Sequence, residues 1–265
     1  MVQIIQCGDK DAAKELPRRW LIYGPAASGK TKSLLTLPAS MRPALILDID
    51  KGGAELDDDE TLGTRILFDS HDKLGKPCGH RQLTDFLQQV HANKIKLPLE
   101  CGAYKTVVCD SLTVAIQNIN QATLQWYMDN GEKGNARDSL DQPPTQAEYG
   151  MIAHMAKKLV MGLIQLNRNL IVICHEADTV KDETTGATHT GPALQKSLAI
   201  DLPRYFDELL YSKVKGRGTE TQFVWYTRPS GMFIARTRIK SLLAEIPQDF
   251  SVYAKEEVPC DTPSI

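Results

Sequence analysis

Trp20-Leu21-Ile22-Tyr23-Gly24-Pro25-Ala26-Ala27-Ser28-Gly29-Lys30-Thr31-Lys32 is the stretch that decides the fold of this chain. Four apolar or aromatic residues in a row, ended by a glycine, predict a short strand buried on both faces. Residues 24–31 then fit G-x-x-x-x-G-K-[ST] without a mismatch. In that pattern the glycines let the backbone curl so that successive N–H groups converge on phosphate oxygens. Lys30 reaches the outer phosphates and the Thr31 hydroxyl suits Mg²⁺. A helix predicted over 31–37 turns its positive end toward the same anion. Gly24, Pro25, Ala26, Ala27, Ser28, Gly29, Lys30, Thr31 and Lys32 are therefore the candidate contacts of an ATP-type triphosphate.

Outward from this motif the chain alternates strand-like and helix-like runs. Further buried strands are predicted over 43–48, 104–110, 169–174 and 209–215, with helices over 82–90, 112–128 and 147–166. Residues 222–227 and 232–236, with Arg228-Pro229-Ser230-Gly231 between them, read as a hairpin. Polar stretches over 130–144 and 176–193 read as long loops. Strands alternating with helices predict one α/β domain built on a mostly parallel sheet with helices on both faces. The expected division is an N-terminal segment, 1–17, the domain proper, 18–246, and a polar tail, 247–265.

A phosphate cradle needs a metal-side acid at the end of another buried strand, and Val107-Val108-Cys109-Asp110 supplies one. Asp110 is either that ligand, sharing Mg²⁺ with Thr31, or an N-cap for the helix that follows. Ser111 stands next, where many ATPases carry a glutamate that polarises water, so the base must come from elsewhere. Asp48-Ile49-Asp50 ends the second strand, and alternation predicts both carboxylates on one side. Asp50 is the candidate base, its plainer reading being a turn former ahead of Gly52-Gly53. His175 ends the fourth strand, where carboxyl ends face the ligand crevice; it is either a γ-phosphate sensor or a structural group. Arg236 and Arg238, two residues apart, project to one side of an extended chain. They lie in a stretch, 202–240, with eight Lys/Arg against three Asp/Glu. They read either as a solvated strand edge or as arginine fingers offered to a neighbouring subunit.

Composition narrows the classes. With 265 residues, 42% hydrophobic, and a net charge of −2, the chain gives no bulk electrostatic case for nucleic acid or an anionic membrane. No apolar run is long enough to span a bilayer and residues 1–10 carry no secretory pattern. Cys109 and Cys174 sit in apolar strands, as expected of a cytoplasmic protein. His71, Cys78, His80, His91 and Cys101 match no zinc-ligand spacing.

Together the motifs resemble the RecA superfamily, in which the base also lies on the strand after the phosphate-loop helix. The chain is still more similar to phage-encoded RecA-like ATPases associated with single-strand annealing and recombination. Their order is G-P-x-x-x-G-K-T, D-x-[DE]-x-G, V-x-D-S, a strand-end histidine and a late [KR]-x-R. Here these are Gly24 to Thr31, Asp48-Ile49-Asp50-Lys51-Gly52, Val108-Cys109-Asp110-Ser111, His175 and Arg236-Thr237-Arg238. The resemblance implies a RecA-like core that binds ATP and Mg²⁺ and hydrolyses ATP with Asp50 as base and His175 as sensor. It also implies a homo-oligomer, ring or filament, with Arg236 and Arg238 acting across the boundary, assembled on single-stranded DNA through the loops 130–149 and 176–194. Asp50 is one methylene shorter than the glutamate of RecA, and His175 replaces its glutamine sensor. The competing readings are a helicase loader or remodelling ATPase, a small-molecule kinase, and a non-catalytic ATP switch. The missing glutamate after Asp110 disfavours the loader, and the lack of an arginine-rich lid disfavours the kinase.

Overall fold

Strand residues alternate between two apolar layers, and this alternation builds the molecule. In the computed structural model, Leu21 and Tyr23, Leu45 and Leu47, Val107 and Cys109, and Leu170, Val172 and Cys174 face one layer. Trp20 and Ile22, Ala44 and Ile46, Val108, and Ile171 and Ile173 face the other. A strand buried on both faces must be apolar at successive positions, which is why these runs looked continuous in the sequence. The structure describes residues 16–254 apart from 93, 95, 96, 100–102, 131–138, 179, 182–187 and 217.

The main sheet contains β1 (Arg19–Gly24), β2 (Ala44–Asp48), β3 (Gly63–Leu67), β4 (Thr106–Asp110) and β5 (Asn169–His175), together with β8 (Glu208–Lys215), β9 (Gln222–Tyr226) and β10 (Glu245–Pro247). A two-stranded ribbon, β6 (Val180–Lys181) with β7 (Thr188–His189), stands apart. The sheet order is β10-β9-β8-β1-β5-β4-β2-β3. All pairings from β8 to β3 are parallel, and those of β9 with β8 and β10 are antiparallel. This is the expected α/β architecture, a mostly parallel sheet carrying the phosphate-loop motif and extended by antiparallel C-terminal strands.

Both faces carry helical cover, but unequally. The helices α1 (Gly79–His91), α2 (Leu112–Asn130), α3 (Gln146–Gln165) and α4 (Lys196–Asp201) pack on the first layer. The second is closed by 3₁₀ turns, by Phe250 and by α5 (Ser251–Ala254). Helix α3 opens on a capping box: Thr145 accepts from the Glu148 backbone, and Glu148 reaches back to the Thr145 N–H. No described helix is long and apolar enough to cross a membrane.

Three local expectations are corrected. The phosphate loop runs not into a helix over 31–37 but into a five-residue 3₁₀ turn, Lys32–Thr36. Pro38 follows and holds Leu37 extended, which stops the turn. The hairpin over 222–236 does not form. Tyr226 pairs with Tyr211, and Arg236 then pairs with Leu209 in the same antiparallel sense, so the chain continues along β8 after an excursion. The strand that does reverse onto β9 is β10, with Glu245 opposite Tyr226. Residues 232–236 looked strand-like because Phe233 and Ala235 are buried, Phe233 stacking on Tyr211 at 4.5 Å. Packing also continues beyond Ile246, where the sequence suggested a polar tail: Phe250 is wholly buried, between Trp20 and Trp225. Residues 1–15 and 255–265 lie outside the described residues.

Candidate functional site

The carboxyl ends of β1, β2, β4 and β5 lie side by side and bring four sequence motifs together. Tyr23 of β1 lies beside Cys174 of β5, Asp110 of β4 beside Ile173, and Asp48 of β2 beside Asp110. The loop leaving β1 is curled tightly: Ala27 has φ 56° and Gly29 φ 83°. Only glycine fits two of its positions. A Cβ on Gly24 would collide with the Ser212 carbonyl oxygen, and one on Gly29 would sit 2.7 Å from the Phe223 ring. Ala26 and Ala27 are exposed at the rim, Ser28 is buried, and Lys32 points into solvent.

Lys30 lies over its own loop, donating to the carbonyl oxygens of Gly24 at 2.9 Å and Pro25 at 2.7 Å. Burial lowers its pKa below the ordinary lysine value, and Asp110 works in the opposite direction. An ammonium held half-desolvated at the mouth of a backbone cradle is suited to an anion with several oxygens.

Thr31 and Asp110 are brought together as expected. The Thr31 hydroxyl donates to Asp110 Oδ2 at 2.6 Å. Asp110 is only 5% exposed. Burial pushes its carboxyl up to about 6, the Thr31 hydrogen bond opposing this and the charges of Asp50 and Asp48 adding to it. A hydroxyl and a buried carboxylate beside a phosphate cradle fit Mg²⁺ with a bound triphosphate. Thr31 and Asp110 are the residues that would hold it. Bound there, the ion would offset negative charge on the phosphates.

Asp48 and Asp50 do not share a side, because the strand ends at Asp48 and the alternation with it. Asp48, 1% exposed, turns away to Arg65 of β3 at 2.8 Å and to the Gly53 N–H. Asp50 turns into the site. Its Oδ1 accepts from the Ser111 hydroxyl at 2.8 Å and the Ser111 N–H at 3.2 Å. Its Oδ2 lies 2.8 Å from His175 Nε2. Candidate base and candidate sensor thus touch directly, which no spacing in the sequence revealed. His175 is itself held by its N–H donating to Thr113 Oγ1 at 3.0 Å. Asp50 and His175 also line an open cleft of about 530 Å³ with Lys51, Asp69, Ser70 and His71, so water reaches the pair.

Arg236 and Arg238 are not part of this cluster. They sit at the start of β8, the opposite end of the sheet from the phosphate loop. Arg236 donates to the carbonyl oxygens of Pro203 and Phe206, while Arg238, with a side chain 64% exposed, pairs with Asp207 at 3.0 Å. Among the described residues no three His, Cys, Asp or Glu side chains converge to hold a metal. His91 instead meets the Gly162 carbonyl, and Cys101 lies outside the described residues. Two contacts went unread in the sequence: Phe223 and Gln248 touch the phosphate loop from the C-terminal strands. Neither belongs to a motif, and only the fold brings them there.

A family model described as an AAA domain, AAA_24, matches residues 16–239. No curated protein matches the chain. Among solved structures, a KaiC-like protein from the hyperthermophilic archaeon Pyrococcus horikoshii is similar over 88% of this chain and 85% of its own. Its identity is 11% and its TM-score 0.44. The family match spans most of the chain and includes the loop, Asp50, Asp110 and His175. With the phosphate-loop motif inside the matched residues, the chain is a P-loop ATPase domain that belongs to the AAA_24 family.

Proposed function

We propose that this chain binds ATP with Mg²⁺ at residues 24–32 and hydrolyses it, with Asp50 as the base that orients the attacking water. The observation that carries the reading is the position of Asp50. It lies beside the metal-side strand, fixed by Ser111 on one oxygen and His175 on the other, at the edge of a cleft open to water. A carboxylate so fixed, near the place of the outer phosphate, accepts the proton as water attacks. Ser111, which fills the usual glutamate position, here orients the base rather than acting as one. His175 contacts Asp50 and opens the polar segment toward β6 and β7, so a change at the outer phosphate has a path to that segment.

The working form in this proposal is a homo-oligomer on single-stranded DNA. The resemblance to the annealing and recombination ATPases supports it, as does the exposure of Trp126 and Tyr149 on either side of 130–145, where bases could stack. Arg238, exposed and remote from its own phosphate loop, is the better placed of the two arginines to serve a neighbouring one. The discriminating experiment is ATP turnover by the purified chain with and without single-stranded DNA. A rise on adding DNA supports the reading. Turnover indifferent to DNA but raised by a protein partner would favour a loader or remodeller.

A further inference from the structure

We infer that the segment following β10 is a strap that holds the phosphate loop in its binding shape, with Gln248 as the positioning residue; this rests on the phosphate-loop reading above. Most of the loop's support would ordinarily come from a long helix continuing out of it. Here only the 3₁₀ turn Lys32–Thr36 follows, and such turns are short and weakly bonded. The loop also contains a left-handed alanine, Ala27, a conformation that surrounding contacts must maintain.

Those contacts come from the C-terminal strands. Gln248 is 8% exposed and its side-chain amide donates to the Ser28 carbonyl oxygen at 2.8 Å and to that of Val224 at 3.1 Å. Both partners are pure acceptors, so the NH₂ end must face them and the amide has one orientation. The Gln248 backbone is itself anchored on the Phe223 carbonyl at 3.1 Å, and the Phe223 ring closes over Gly29. Two residues on, the Phe250 N–H donates to the Thr36 hydroxyl at 2.8 Å. The segment therefore grips the middle of the loop at Ser28 and the end of the following turn at Thr36. Phe250 is buried against Trp20 and Trp225, which fixes the strap to the sheet. Gln248 touches no reacting atom. Its effect falls on how well the loop is formed before nucleotide arrives, and so on affinity more than on the chemical step.

The test uses the full chain with Gln248→Met, which keeps the side chain's bulk and removes the amide. ATP affinity and KM should weaken about 5- to 10-fold, the worth of one to two buried hydrogen bonds, with a smaller change in kcat. Hydrogen exchange of amides 26–31 should quicken while those of β1, β4 and β5 stay protected. Thr36→Val, which cuts the second tie, should act in the same direction. Exchange that quickens across the whole sheet, or ATP affinity and loop exchange both like wild type, would overturn the strap. Lys30→Ala run alongside separates the two readings. If it loses nucleotide while Gln248→Met does not, the strap alone fails. If Lys30→Ala binds ATP as well as wild type, the phosphate-loop reading fails and the strap with it.

Discussion

Asp110 shows how a candidate metal-side residue can burden the fold that carries it. Its carboxyl is raised to about 6, so the folded chain holds this proton more tightly than the unfolded chain does. As pH rises through the window from the ordinary carboxylate value to about 6, folding loses stability, and the penalty persists above it. Asp110→Asn keeps an oxygen for the Thr31 hydroxyl and removes the buried charge. In thermal or denaturant unfolding without nucleotide, the variant should match wild type near pH 4 and exceed it above pH 6. The same variant should bind Mg²⁺ with ATP more weakly. Equal stability across that range would show that the buried charge costs nothing. Asp50→Asn is the complementary change: the amide can still bond to Ser111, so nucleotide binding should survive. Loss of the base should slow hydrolysis by roughly 10²-fold or more.

Among the elements, the two-layer alternation of β1, β2, β4 and β5 was legible because each strand is buried on both faces and reads as an unbroken apolar run. Strand β3 was missed for the opposite reason. It is an edge strand, Gly63-Thr64-Arg65-Ile66-Leu67, with an exposed, mixed composition. What holds it is lateral: Arg65 reaches Asp48 on β2 and Asp57 in the preceding loop. Asp48→Ala would leave Arg65 with Asp57 alone and the Gly53 N–H without its acceptor, costing about 2 kcal/mol, visible as a lower unfolding midpoint. Hydrolysis per folded molecule should change little, in contrast to Asp50→Asn, because Asp48 faces away from the site. A stable variant with lost turnover would reverse the roles given to the two carboxylates. The hairpin misreading has a similar origin. Phe233 and Ala235 alternate with exposed Met232 and Ile234 as in any strand, but the place beside β9 is taken by β10.

At the scale of the whole molecule, the order of motifs singled out the phosphate loop, Asp110, Asp50 and His175, and the sheet gathers them at one end. It could not show that Asp50 and His175 touch, nor that Gln248 reaches Ser28, since these contacts span 125 and 220 residues of chain. Arg236 and Arg238 lie at the far end of the sheet, so any part they play at a phosphate must be at a neighbour's. A finger supplied that way is worth about 10³ to 10⁵ in rate. Specific activity should then rise with protein concentration, and a double alanine variant at both arginines should stay slow at every concentration. Mixing it with Lys30→Ala should restore turnover, because one supplies fingers and the other an intact loop. Flat specific activity and no rescue on mixing would return both arginines to the role of a solvated, paired strand edge. The most direct measurement is ATP binding and turnover by the purified chain, with Lys30→Ala and Asp50→Asn beside it. Wild type should bind and hydrolyse ATP, Lys30→Ala should do neither well, and Asp50→Asn should bind but turn over roughly 10²-fold more slowly. Near wild-type turnover in Lys30→Ala would contradict the phosphate-loop site, and near wild-type turnover in Asp50→Asn would contradict its base.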